Sequence, residues 1–142
     1  MRYWDSSALV PLLVQQDVTE TMRATLRDDP AIVTWWGTPV ECASALARLH
    51  REGELEAGGL SAAMSRLRGA LPMWAEVAPI PDVREQAIRI VRVHGLRAAD
   101  SLQLAAAVVA SDFEPGSLGF VTLDARQRIA AEHEGFEATS FR

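Results

Sequence analysis

The chain has 142 residues, 49% hydrophobic and 23% charged, a balance that excludes a disordered chain and reads as one globular domain spanning 1–142. All 14 basic residues are Arg and none is Lys, which removes the P-loop phosphate lysine, the Schiff-base lysine and the strand lysine of protein kinases. The formal charge of −5 argues against a surface that grips nucleic acid non-specifically and leaves a local Arg cluster as the way to hold a polyanion.

Arg2 to Asp5 reads as a short strand, followed by a helical stretch from Ser7 to about Gln16. A second helix over Val18 to Arg27 carries Val18, Met22 and Leu26 at helical spacing, and Asp28-Asp29-Pro30 breaks it. Ala31 to Trp35 is a β-rich run. Thr38-Pro39 then resembles a helix cap followed by a first-turn proline, and Glu41 completes a capping-box pattern three residues after Thr38. That helix runs to about Arg51 and stops before Gly53. Leu55 to Met73 predicts another helix, softened at Gly58-Gly59 and ended by Pro72.

Ala75 to Ile80 predicts a strand, and Pro81-Asp82 opens a helix that Gly95 ends. Its Val83, Ala87, Ile90, Val91 and His94 share one face, with His94 placed to favour the dipole at the helix C-terminus. Ala98 to Ala110 is an Ala/Leu-rich helix expected to be buried on most sides. After a turn at Glu114 to Ser117, Leu118 to Thr122 predicts a strand, Asp124 to Glu134 a helix stopped by Gly135, and Phe136 to Thr139 a last strand. Strands alternating with helices or helix pairs favour an α/β layer fold on a parallel sheet.

The single cysteine, Cys42, has no internal disulfide partner. Together with the missing signal-peptide core and the lack of any apolar run near ~18 residues, it leads us to expect a cytoplasmic protein with no membrane span. Cys42 also shares a helical face with Ala45 and Leu46, which turns it toward the core and away from a Cys/His mechanism.

In an open parallel sheet, sites form outside the carboxyl ends of the strands. Four acids fall there: Asp5 closing the first strand, Glu41 and Asp100 in first helical turns, and Asp124 after the fourth strand. Each has a plainer role open to it. Glu41 fits the capping box, Asp100 complements a helix dipole, and Asp124 suits a helix cap. Together they make up to four like charges in one crevice with no ammonium to offset them. Oxygen-only ligands of this kind suit a hard cation, Mg²⁺ or Mn²⁺, and such a site suits phosphoryl chemistry.

Four segments carry a family resemblance: Tyr3-Trp4-Asp5-Ser6-Ser7-Ala8-Leu9-Val10, Pro39-Val40-Glu41-Cys42-Ala43-Ser44-Ala45-Leu46, the run from His94 through Asp100 to Ala107, and Phe120-Val121-Thr122-Leu123-Asp124-Ala125-Arg126. In order and across the whole chain, they resemble the PIN domain, and within it the VapC-type toxins of toxin–antitoxin pairs. The resemblance implies an α/β/α sandwich around a parallel sheet of four or five strands in the order 3-2-1-4-5. It implies a Mg²⁺- or Mn²⁺-dependent endoribonuclease, in which water activated at the metal cleaves RNA to leave a 5′-phosphate. It implies a cognate VapB-type antitoxin and a homodimer. Asp5, Glu41, Asp100 and Asp124 match the acidic metal-binding and catalytic positions, and Ser6 and Thr122 match supporting hydroxyl positions more loosely.

Three further groups stand out. Arg97, three residues before Asp100, is a candidate for an RNA phosphate or for an ion pair with a site acid. Arg126 and Arg128 are weaker candidates of the same kind. Trp35-Trp36 suits core packing or a dimer contact better than base stacking. The alternative to an enzyme is a catalytically inactive PIN-like module that binds RNA or a protein partner. A receiver-like phosphoacceptor is disfavoured because that site uses a Lys.

Overall fold

The computed structural model describes residues 1–141. Five short strands, β1 (Arg2–Trp4), β2 (Ile32–Trp35), β3 (Ala75–Val77), β4 (Gly119–Val121) and β5 (Glu137–Thr139), form an all-parallel sheet in the order β3-β2-β1-β4-β5. Tyr3 lies opposite Val33 on one side and Phe120 on the other, so the first strand is the centre of the sheet. Parallel strands need crossover connections, and here helices fill every one.

Strand alternation sorts the core into two layers. Tyr3, Val33, Trp35 and Phe120 point to one face, against α5 (Pro81–His94), α6 (Ala98–Ala110) and α7 (Ala125–Glu134). Trp4, Ile32 and Val121 point to the other, against α1 (Ser6–Leu13), α2 (Thr19–Asp28), α3 (Thr38–Arg51) and α4 (Ala57–Ala70). Tyr3 and Phe120 stack with ring centroids 5.2 Å apart, and Phe136 adds a tilted contact to Phe120 at 5.5 Å. A fully buried aromatic of this kind stabilises the fold by about 1.5–3 kcal/mol. Small side chains let α6 sit close to the sheet, with Leu104 through Ala107 all inaccessible to solvent. The expected three-layer α/β/α sandwich and its strand order are both present.

Several boundaries differ from those expected. The first helix ends at Leu13 rather than near Gln16, because Thr19 Oγ1 donates to the Pro11 carbonyl at 2.7 Å and takes the acceptor a longer helix would use. The stretch predicted as one helix over Leu55 to Met73 is α4 plus a short 3₁₀ turn at Leu71–Met73. The strand expected over Ala75 to Ile80 pairs only through Val77, since Pro79 has no N–H for the ladder. Gly95 ends α5 with φ 64°, a left-handed cap that glycine adopts without strain. No helix among the described residues is long and apolar enough to cross a membrane.

Candidate active site

The carboxyl ends of β1 and β4 deliver Asp5 and Thr122 side by side. Asp5 caps α1 by position only; its backbone is extended and its carboxylate takes no bond from that helix's N–H groups. Instead Thr122 Oγ1 and Ser7 Oγ donate to Asp5 Oδ2 at 2.7 and 2.8 Å. Ser7 Oγ in turn accepts from the Leu123 N–H at 2.9 Å, and Thr122 Oγ1 from the Asp124 N–H at 3.1 Å. The loop after β4 is therefore stitched to Asp5 by two hydroxyls. Asp5 is 3% exposed, and burial raises its pKa above the usual carboxylate value. The Thr122 and Ser7 hydrogen bonds oppose that rise, while Asp100 and Asp124 add to it by repulsion.

Glu41 does not play the capping-box role that its spacing suggests. Gly37 occupies the cap position of α3. The Thr38 hydroxyl is turned inward, accepting from Trp35 N at 3.2 Å and Gln103 Nε2 at 2.9 Å and lying 2.8 Å from the Thr34 hydroxyl. That leaves Glu41 free to face the sheet edge. There Gln103 Nε2 donates to Oε2 at 2.9 Å and Ser6 Oγ reaches Oε1 at 3.2 Å. Burial pushes the Glu41 pKa up to about 7, against the lowering bond from Gln103 and with the Asp5 charge reinforcing it.

The other two acids stand at helix starts. Asp100 lies in the first turn of α6, and its carbonyl accepts from Gln127 Nε2 at 2.9 Å. Its pKa is raised by burial and by Asp124, and held back by the positive charges of Arg97 and Arg126. Asp124 does cap α7, accepting from Gln127 N at 2.9 Å through Oδ1. Glu41, Asp100 and Asp124 line one open cleft of about 460 Å³, together with Ser6, Ser7 and Arg97. Asp5 sits behind the two serines.

This donor set can be tested against the divalent ion that the sequence implies. No three His, Cys, Asp or Glu side chains among the described residues are grouped to enclose an ion. Mg²⁺ rarely needs that: it keeps several waters and takes one or two carboxylates plus substrate phosphate oxygens. Separated carboxylates around an open cleft fit this habit. The pKa of three of the four acids is raised, first by burial and then by repulsion from neighbouring acids, so a bound cation would favour their charged forms.

Ser7, Gln103 and Arg48 were missed as site residues. Ser7 follows Ser6 directly, and only the fold reveals that both hydroxyls serve the acids. Gln103 is fully buried, with Oε1 accepting from the Tyr3 hydroxyl at 2.6 Å. Its signal is a long amide inside an Ala/Leu run, one turn past Asp100. Arg48 lines the cleft from α3.

Of the remaining candidates, Arg97 is exposed at the cleft edge, Arg126 is exposed on the first turn of α7, and Arg128 pairs with Glu132 at 3.0 Å. The tryptophan pair splits, Trp35 buried and Trp36 58% exposed, with rings edge-on. His94 Nε2 meets Glu134 Oε1 at 3.2 Å, and Arg89 binds the same oxygen at 2.7 Å, so it links α5 to α7 away from the acids. Burial pushes the Cys42 thiol up to about 12, which leaves it inert as a nucleophile.

No protein-family model and no curated protein matches the sequence. Among solved structures, a chain of a toxin–antitoxin complex from Klebsiella pneumoniae shares the fold with a TM-score of 0.65 and 16% identity, over 99% of this chain and 97% of that one.

Proposed function

We propose that this chain is a Mg²⁺- or Mn²⁺-dependent endoribonuclease of the VapC type, the toxin of a toxin–antitoxin pair. The observation that carries the reading is that Glu41, Asp100 and Asp124 line one strand-end cleft of a sheet with this order, with Asp5 bonded to the cleft-lining Ser7. The fold shared with a chain of a toxin–antitoxin complex supports the toxin role.

When bound, the ion supplies charge neutralisation, polarisation of the phosphoryl oxygens and a more acidic water. Asp5, Asp100 and Asp124 are the residues that would hold it, with Glu41 completing the set or orienting the attacking water. Ser7 and Thr122 fix the Asp5 carboxylate, and Gln103 and Ser6 fix both oxygens of Glu41. A carboxylate restrained at both oxygens loses little entropy when the ligand arrives, and such supporting bonds orient metal-binding acids elsewhere. Arg97 at the rim is placed to steady the phosphate by a two-point contact.

A VapB-type antitoxin and a second copy of the chain are the proposed partners. Exposed apolar side chains, among them Met73 at 83% and Ile88 at 52%, give such partners surface to cover. The open spacing of the acids favours one competing reading, a module that binds RNA or a protein without cleaving. Incubation of the purified protein with total cellular RNA and Mn²⁺, followed by mapping of new 5′ ends, separates the two. Discrete 5′-phosphate ends that vanish with EDTA support the nuclease, and intact RNA at all metal concentrations overturns it.

A further inference from the structure

The cleft continues past the acids along α3. Glu41, Ser44, Ala45 and Arg48 all line it, at the i, i+3, i+4 and i+7 positions that share one helix face. Between the acid and the guanidinium the wall is low, because Ser44 and Ala45 are small. Val10 and Ala99 on the other sides are short as well.

The Arg48 side chain is exposed and makes no hydrogen bond or ion pair among the described residues, although Glu52 stands four residues on, at the end of α3. Arg97 is equally free at the other side of the acids, beside Asp100. Seven residues of helix separate Glu41 and Arg48 by about 10 Å. That is two to three stacked nucleotides at ~3.4 Å each. Arg97, three residues before Asp100, is the nearer cation to a phosphate at the acids, and Arg48 lies two turns of α3 beyond Glu41. An anionic strand entering a cleft lined by three carboxylates also needs a fixed cation beyond them, and among side chains the chain has mainly Arg to provide one.

We propose that Arg48 holds a second phosphate, two to three nucleotides from the reacting one, so that the cleft takes an unpaired RNA strand rather than an isolated nucleotide. This rests on the nuclease reading for which phosphate reacts. Arg48 is a positioning residue, acting on the strand and not on the bond that breaks.

Fluorescence anisotropy in Ca²⁺, a hard cation that carboxylates hold without the octahedral geometry of Mg²⁺, with a labelled uridine decamer and with the dinucleotide UpU, tests it by binding alone. For Arg48→Gln we expect about tenfold weaker decamer binding and a log–log salt slope shallower by about 0.7, the share of one phosphate in a single strand. The wild-type advantage should shrink toward unity with UpU, and Arg48→Lys should recover part of the decamer affinity. Arg68→Gln, on α4 and outside the cleft, makes the same charge change and serves as the control.

The assignment is overturned by any of four results. The wild type may show no saturable decamer binding. Arg48→Gln may bind the decamer like the wild type. It may lose no more than Arg68→Gln, or it may lose as much with UpU as with the decamer. Arg48-dependent binding by a protein that never cleaves with Mn²⁺ supports the assignment and sinks the nuclease. Cleavage by a protein whose decamer binding ignores Arg48 does the reverse.

Discussion

The four acids form two unlike pairs. Asp5 and Glu41 are recessed, and hydroxyls and an amide hold their oxygens from inside the protein. Asp100 and Asp124 stand at helix starts, facing the positive ends of α6 and α7, and the charges of Arg97 and Arg126 also offset Asp100. The inner pair has its geometry set before any ligand arrives, at the cost of burying charge. The outer pair is half-buried and open to a ligand. Of the four carboxylates only Asp5 is fully buried, which limits the desolvation cost of the crevice.

The sharpest way to break this comparison is to neutralise one member of each pair. Asp100→Asn should lower RNA cleavage by roughly 10³-fold or more, as loss of several kcal/mol of charge stabilisation implies, with little change in melting temperature. Asp5→Asn should cost as much activity, and growth assays without the antitoxin should show both variants harmless. Full toxicity in either would mean that the acids are misassigned.

Gln103→Leu comes next. It strips the amide from Glu41 and leaves the Tyr3 and Thr38 hydroxyls short of a buried partner, a loss of about 1–3 kcal/mol per unsatisfied group. Thermal unfolding should fall by several degrees, and cleavage by 10–100-fold, the usual range for residues that orient a metal-binding acid. A variant that unfolds earlier yet cleaves normally would place Gln103 in the core alone.

Thr122→Val removes one of the two donors on Asp5 Oδ2 and should cost about 1 kcal/mol, with a smaller loss of activity than Gln103→Leu. An effect equal to that of Asp5→Asn would show that the hydroxyl itself binds the ligand.

The smallest expected effect is on pH. Glu41 has a folded pKa of about 7 against an ordinary 4.5, so the folded state binds its proton more tightly than the unfolded chain. That contribution is fully present below about pH 4.5 and is lost as pH rises through 7. Asp5, raised in the same sense, adds to it. The melting temperature of the metal-free protein should therefore decline across this window by a few degrees, and Glu41→Gln should flatten the decline. Added Mg²⁺ at pH 8 should restore it, because a ligand of the folded state alone stabilises that state. A metal-free profile that rises over the same window would mean the acids are neutralised by some other group.

Much of the layer architecture was legible because strands and helices alternate in hydrophobic period. Helix ends set by local breakers, such as Gly53, Gly95 and Gly135, could be read directly. The end of α1 could not, since it depends on Thr19 reaching back to Pro11. Glu41 illustrates the same limit at the site. Its spacing from Thr38 matches a local cap, yet a partner 62 residues away, Gln103, decides where it points. Trp35 and Trp36 are neighbours with identical side chains, yet Trp35 ends β2 inside the core while Trp36 lies in the turn that follows and is exposed. Arg48 carried no local signal, because its meaning comes from which helix face borders the cleft.

The bond from Thr122 to Asp5 spans 117 residues, and that from Ser7 to Leu123 spans 116. Contacts of such long sequence separation form late, after the intervening chain has been ordered. On the ribosome, Asp5 emerges more than a hundred residues before Thr122 and must wait for β4. Synthesis at ~5–20 residues per second leaves it without those partners for several seconds. A nascent or prematurely terminated chain lacking β4 thus carries all of Asp5, Glu41 and Asp100 but no fixed inner carboxylate. The topology delays assembly of the cleft until β4 has been made.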